Sequence, residues 1–169
     1  GLADYAIAPA ATVSPIPDAL DAGAAAGFIT NYMPAWLGLV DRAQLQAGET
    51  VLVLGSAGGV GVAAVQVARL RGARVIAGAS TPEKRAWAME QGAHAAVDYS
   101  DPEWRAALKE ANHGRGVDGV FDPVGGDLLE PAFRSLAWRG RHLVVGFTGG
   151  PIPRLPVNLA LLKGAALMG

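Results

Sequence analysis

Five short apolar runs recur along this chain at a nearly constant interval, and that interval limits the possible folds more than any other feature. Val51–Leu54, Val75–Ala77, Ala95–Val97, Val117–Phe121 and Leu143–Val145 begin 24, 20, 22 and 26 residues apart. The runs are apolar without polar alternation and rich in β-branched residues, the pattern of strands covered on both faces. Helical stretches lie between them. Gly58–Arg71 is apolar nearly all round, and Pro82–Gln91 follows the cap Thr81 with proline in its first turn. Asp101–Ala111 repeats that arrangement behind the cap Asp101, and Asp127–Trp138 is the fourth helix. Strand alternating with helix at this period predicts βαβ units with right-handed crossovers. The expected class is α/β, a doubly wound parallel sheet with helices on both faces.

The flanks read differently. Residues 1–17 contain Pro9, Pro15 and Pro17 and no helical period, so they are expected to form a strand running into a Pro-rich linker. Asp18 is read as the cap of an Ala-rich helix ending near Gly27, with a second helix from Asn31 to Ala43. Pro151, Pro153 and Pro156 make an extended link before a short helix, Asn158–Lys163, and a strand beginning near Lys163 is expected at the sheet edge. The chain does not begin with Met, Gly1–Ala10 lacks the order of a signal peptide, and Ala165–Gly169 reads as a strand being cut. An excised piece of a longer protein is therefore expected. With 51% hydrophobic and 17% charged residues, the chain has ample material for a core, and some of its surface is expected to be covered by something else. A net charge of −1 gives no electrostatic footprint for nucleic acid or anionic lipid. The uncharged run Ala22–Val40 approaches membrane-span length, but Thr30, Asn31 and Pro34 at its centre favour buried helices. Cysteine is absent, which excludes disulfides, thiolate metal sites and cysteine nucleophiles within these residues.

The chemistry-bearing motif is Gly55-Ser56-Ala57-Gly58-Gly59-Val60-Gly61, placed between the first strand and a helix. A dinucleotide loop needs small residues at i, i+2 and i+5 for a tight turn, close backbone approach to a pyrophosphate and helix–strand packing. Ser56, Gly58 and Gly61 take those places, so the first glycine has become serine. The helix N-terminus behind them offers free N–H groups to phosphates, making a Rossmann-type nucleotide site the expectation. No Gly-Lys-Ser/Thr follows, so the loop is not a P-loop. Gly55, Gly59 and Gly61 also fit the short-chain dehydrogenase spacing, but none of Tyr5, Tyr32 and Tyr99 has a lysine four residues on. An NAD enzyme would carry an acid at the end of the second strand; Ala77-Gly78-Ala79-Ser80 has none. The Ser80 hydroxyl and the charges of Lys84 and Arg85 favour NADP(H) instead.

These residues resemble the medium-chain dehydrogenase/reductase superfamily, in its zinc-independent quinone oxidoreductase branch. The resemblance is carried by Gly1-Leu2-Ala3-Asp4-Tyr5, the loop at 55–61, Gly92-Ala93-His94, Asp122-Pro123-Val124-Gly125-Gly126 and Asn158-Leu159-Ala160-Leu161-Leu162-Lys163-Gly164. It implies that residues 1–17 close a mostly missing GroES-like catalytic domain and that residues 18–169 are the NADP(H)-binding domain, cut at its C-terminus. It implies reduction by NADPH of a quinone or another conjugated, enone-like acceptor, in a cytoplasmic homodimer joined through the sheet edge near the C-terminus. By match, Ala57, Gly58, Gly59 and Val60 hold the pyrophosphate, Ser80 and Lys84 the 2′-phosphate, and Tyr99 the adenosine side. Gly125 belongs to the loop after the fourth strand, while Gly146, Phe147 and Thr148 match the loop near the nicotinamide. Asn31 matches a residue near the same ring, although a helix cap explains it equally well. Pro34 and Pro123 depart from the family pattern.

No catalytic residue is identified, and the piece alone is expected to be inactive, because half of the pocket lies elsewhere. His94, His113 and His142 are too far apart for a metal, so no metal ligand is assigned. The competing reading is a non-catalytic dinucleotide-binding redox sensor or structural module, since fold does not fix function. A methyltransferase would want the missing acid after the second strand.

Overall fold

The computed structural model describes residues 3–169, and Gly1 and Leu2 lie outside the described residues. Six strands form one sheet: β1 (Thr50–Leu54), β2 (Arg74–Gly78), β3 (Ala95–Val97), β4 (Val117–Asp122), β5 (Leu136–Val144) and β6 (Ala166–Met168). Their order is β3-β2-β1-β4-β5-β6, and every pairing is parallel. The helices are α1 (Ala22–Trp36), α2 (Gly59–Leu70), α3 (Pro82–Glu90), α4 (Trp104–Ala111), α5 (Leu129–Arg134) and α6 (Asn158–Lys163). Chain order reverses direction between β1 and β4, which opens a crevice above the ends of those two strands. The doubly wound α/β fold read from the apolar spacing is the fold observed.

The sheet divides the core into two layers. Val51, Val53, Val75, Ala77 and Phe121 pack on one face, with Ala63, Ala64 and Val67 of α2. Leu52, Leu54, Ile76 and Val120 pack on the other, with Leu108 of α4 and Phe133 of α5. All of β1 is buried, and each such Val or Leu contributes roughly 1.5–3 kcal/mol when removed from water. β1 is therefore the rigid platform beneath the Gly-rich loop.

Several local expectations are corrected. Among the described residues 3–17 there is no strand; a single 3-10 turn, Ala10–Thr12, is closed by Thr12 on the Pro9 carbonyl. Tyr5 and Ile7 stand in solvent, and without a partner ladder an extended segment has nothing to pair with. The two helices expected over 18–43 are one: α1 runs through Phe28–Thr30 because nothing there forbids helix, and Gly27 alone does not break it. Its cap is Asp21 rather than Asp18, with Oδ1 accepting the Ala24 amide at 2.8 Å. Past Pro34, which lacks an N–H, α1 widens into a π-helical turn at Leu37–Arg42. Asp101 does not cap α4. Its side chain accepts the Glu103 amide in a preceding turn, and the helix begins at Trp104. The helix expected over 127–138 stops at Arg134, and Leu136–Trp138 belong to β5, which extends well before the apolar run at 143–145. Val117 donates its amide to the Ser135 carbonyl, capturing this segment for the sheet. The register then shifts between Val117 and Gly119, with Arg139 at φ 64°. β6 stands at the sheet edge, as expected.

Candidate functional site

The loop after β1 is built from glycines with separate tasks. Gly55 turns at φ 59° and accepts the Gly58 amide at 3.0 Å. A Cβ on Gly61 would stand 2.1 Å from the Gly55 carbonyl oxygen, so α2 approaches β1 as closely as backbone allows. Ser56 is wholly buried, its hydroxyl donating to the Gly78 carbonyl at 3.1 Å. Serine at the first fingerprint position thus ties β1 to β2. Gly58 is the N-cap of α2, with extended backbone and no side-chain cap. The first-turn amides of Gly59, Val60 and Gly61 therefore keep no intrahelical partner and present a positive dipole end. Asn31 lies within α1, not at a cap, and its carboxamide rests on Gly59, where a Cβ would meet Oδ1 at 2.6 Å.

A cavity of about 850 Å³ opens above the C-terminal strand ends. Ala57 and Gly58 line it after β1, Ala79 and Lys84 after β2, Tyr99 and Ser100 after β3, Val124 and Gly125 after β4, and Thr148 and Gly149 after β5. Of the residues singled out by sequence, Ala57, Gly58, Lys84, Tyr99, Gly125 and Thr148 meet on its wall. Ser56 and Gly61 are buried behind the loop, and Gly59 and Val60 continue it into α2. Ser80 is half-buried beside Ala79, its carbonyl accepting the Ser100 hydroxyl at 3.5 Å. Gly146 and Phe147 do not line the cavity. They stand behind Pro123 and Gly125, with the Phe147 ring against Gly125.

Electrostatics distinguish the two cations at the β2 end. Arg85 is held by Asp98 at 2.7 Å and by the Ala79 carbonyl. The Ser100 hydroxyl and amide, and then Arg85, hold the Asp98 carboxyl below its ordinary range. Lys84 lines the cavity and has no ion-pair partner among the described residues. Glu83 at the rim is kept low by its own amide and the Thr81 hydroxyl. Sequence reasoning missed Trp87, which lines the cavity one helical turn past Lys84. The i, i+3 spacing on α3 was the available signal. Among the described residues no group of three His, Cys, Asp or Glu side chains could hold a metal ion.

A parallel sheet in this order, with a Gly-rich turn and an uncapped helix at its crossover point, defines a dinucleotide-type nucleotide-binding domain of the dehydrogenase kind. The chain belongs to the medium-chain dehydrogenase/reductase superfamily: residues 59–169 match the family of zinc-binding dehydrogenases. Quinone oxidoreductase-like protein 2 of Rattus norvegicus is 41% identical over 169 residues, covering 99% of this chain and 48% of the relative. The quinone oxidoreductase of Thermus thermophilus, solved also in complex with NADPH, is 37% identical with a TM-score of 0.82. That match covers 96% of this chain and 51% of the other. A mycobacterial protein solved with NADPH is 32% identical over 95% of this chain and 50% of its own, with a TM-score of 0.87. The chain spans about half the length of the quinone oxidoreductase and quinone oxidoreductase-like relatives it matches.

Proposed function

We propose that this chain is the NADP(H)-binding domain of a reductase that delivers hydride to a quinone or another conjugated carbonyl acceptor. The observation that carries the reading is the uncapped N-terminus of α2, opening beside a cavity that Lys84 lines, with Glu83 next to it and no carboxylate in the strand-end stretch Ala77–Ser80. The Ala57–Val60 turn holds the diphosphate, with the Gly59 and Val60 amides free to donate, Ser80 and Lys84 hold the 2′-phosphate, and Tyr99 the adenosine. The nicotinamide half then extends toward Gly125 and Thr148, with Asn31, Gly146 and Phe147 around that end. Hydride chemistry is supplied by the bound cofactor; the chain's own residues bind and orient it. The NADPH-bound relatives support the cofactor assignment.

In this reading residues 18–169 are the nucleotide-binding domain, and residues 1–17 belong to the end of a GroES-like catalytic domain. The acceptor binds between the two domains, without zinc, in a cytoplasmic homodimer paired through β6. The exposed Leu167 on that edge strand supports the pairing. Among the described residues no helix is long and apolar enough to cross a membrane. Calorimetric titration with NADPH and NADH tests the cofactor: NADPH binds more tightly, and tighter NADH binding refutes the 2′-phosphate assignment. Absence of heat with either nucleotide, in folded protein, refutes the site. A longer protein carrying this domain that binds NADPH but oxidises it with no quinone or enone refutes the reductase and leaves a binding module.

A further inference from the structure

The β4–β5 side of the cavity hangs from one buried residue. Asp122 ends β4, and His142 lies beside it on β5; both are wholly buried. Asp122 Oδ2 meets His142 Nε2 at 2.9 Å, while Oδ1 accepts the amides of Val124 at 2.9 Å and Gly125 at 2.7 Å. All three contacts donate to the carboxylate. The hydrogen bond to the carboxylate assigns a proton to Nε2. Nδ1 is left buried and unpartnered, and the centroids of the imidazole and Phe133 rings are 6.1 Å apart. Burying a carboxylate is unfavourable unless its hydrogen bonds are met, and here they are met by turning two loop amides inward.

The consequence reaches the cavity through two further turns. Gly125 is fixed at φ 64°, a conformation that favours glycine. The carbonyl of Pro123 accepts the Thr148 amide at 3.3 Å and its hydroxyl at 3.1 Å, and that of Val124 accepts the Gly149 amide at 2.8 Å. The Asp122 carbonyl itself accepts the Val145 amide at 2.8 Å. Val124, Gly125, Thr148 and Gly149 all line the cavity.

We propose that the buried His142–Asp122 pair is the positioning device for the cavity wall against which the nicotinamide half of the cofactor lies. The proposal rests on the NADP(H) reading above. Neither residue touches the cofactor. His142 orients Asp122, Asp122 sets the Val124 and Gly125 amides, and those carry Thr148 and Gly149. Without the imidazole, Oδ2 has no donor in an apolar setting and the carboxylate no longer holds one fixed geometry.

The test compares His142→Leu with His142→Gln, which restores an N–H donor, in the chain as it stands. By NMR hydrogen exchange, the Gly125 and Gly149 amides exchange about tenfold faster in His142→Leu, while Leu52 and Val53 of β1 are unchanged; His142→Gln reverses most of the effect. In titrations, His142→Leu weakens NADPH severalfold more than 2′,5′-ADP, which lacks the nicotinamide half. Asp122→Ala, which removes the acceptor for both loop amides, serves as the second variant if His142→Leu fails to fold, with the same exchange and titration results expected. Unaltered exchange at Gly125 and Gly149, or equal weakening of the two nucleotides, overturns the positioning role. A wild-type chain that binds neither nucleotide overturns the cofactor reading and the nicotinamide assignment with it. The exchange arm, which needs no ligand, tells the two failures apart.

Discussion

Replacing Gly61 with alanine separates packing from ligand approach within one loop. The added Cβ would stand 2.1 Å from the Gly55 oxygen and 2.8 Å from both the Gly55 carbonyl carbon and the Ser56 Cα. All three are backbone atoms of the turn that β1 anchors, so relief requires α2 to retreat by about 1.4 Å, the gap from 2.1 Å to an ordinary contact. Alanine returns about 1 kcal/mol of helix propensity. Overpacking typically costs about 1–3 kcal/mol, occasionally more, and a clash between two rigid backbones lies at or beyond the upper end. A net loss of about 2 kcal/mol follows, which lowers the melting temperature by roughly 4–8 °C for a domain of this size. Gly58→Ala is the control: its φ is −79° and the nearest atom to the new Cβ is 3.5 Å away. Its stability stays within about 0.5 kcal/mol of wild type, but its methyl group intrudes where the diphosphate would lie, so NADPH affinity falls. Thermal unfolding by circular dichroism and NADPH titration read the two effects. Gly61→Ala melting within about 1 °C of wild type, or Gly58→Ala losing as much stability, refutes the division of labour.

Three further outcomes are expected. Lys84→Gln weakens NADPH about tenfold and leaves NADH nearly unchanged by titration, the ratio expected for losing one charge-assisted phosphate contact worth about 1.4 kcal/mol. Ser56→Ala lowers unfolding free energy by about 1 kcal/mol in denaturant titration, since Gly78 loses a hydroxyl donor but keeps the Ser56 amide at 3.2 Å. Burial raises the Glu49 carboxyl, but the two Arg141 hydrogen bonds, the Gln46 amide and the Arg141 charge outweigh it and hold the group below its ordinary value. Because the folded value is the lower one, this stabilisation is complete above the unfolded value near 4.5 and is lost as pH falls through the folded value. The melting-temperature gap between wild type and Glu49→Gln therefore narrows with acidification below about pH 4.5, and a gap independent of pH refutes the pairing.

What sequence made legible follows from how the sheet is buried. Strands covered on both faces must be apolar throughout, so Val51–Leu54 and its counterparts stand out at their spacing, and the Gly-rich loop stands out for its backbone demands. Less was legible where long-range pairing overrode local pattern. Leu136–Trp138 continue the apolar spacing of the helix before them, and only the Ser135–Val117 hydrogen bond hands them to β5. Asp18 and Asp21 are equally good caps on paper, and the observed start at Ala22 selects the second. At the site, Lys84 and Arg85 look alike in sequence. Asp98, thirteen positions past Arg85, occupies one of them and leaves the other on the cavity wall. His142 appears as a lone histidine in a strand, because its partner Asp122 sits twenty residues away.

The cavity walls come from loops following five successive strands. No short segment of the chain owns the site, and it exists only after every neighbour in the sheet has found its register. Nucleotide titration is thus also an assay of global architecture. A ligand that spans those loops tightens the whole assembly by mass action, so a remote substitution that merely loosens strand pairing will present itself as a loss of affinity.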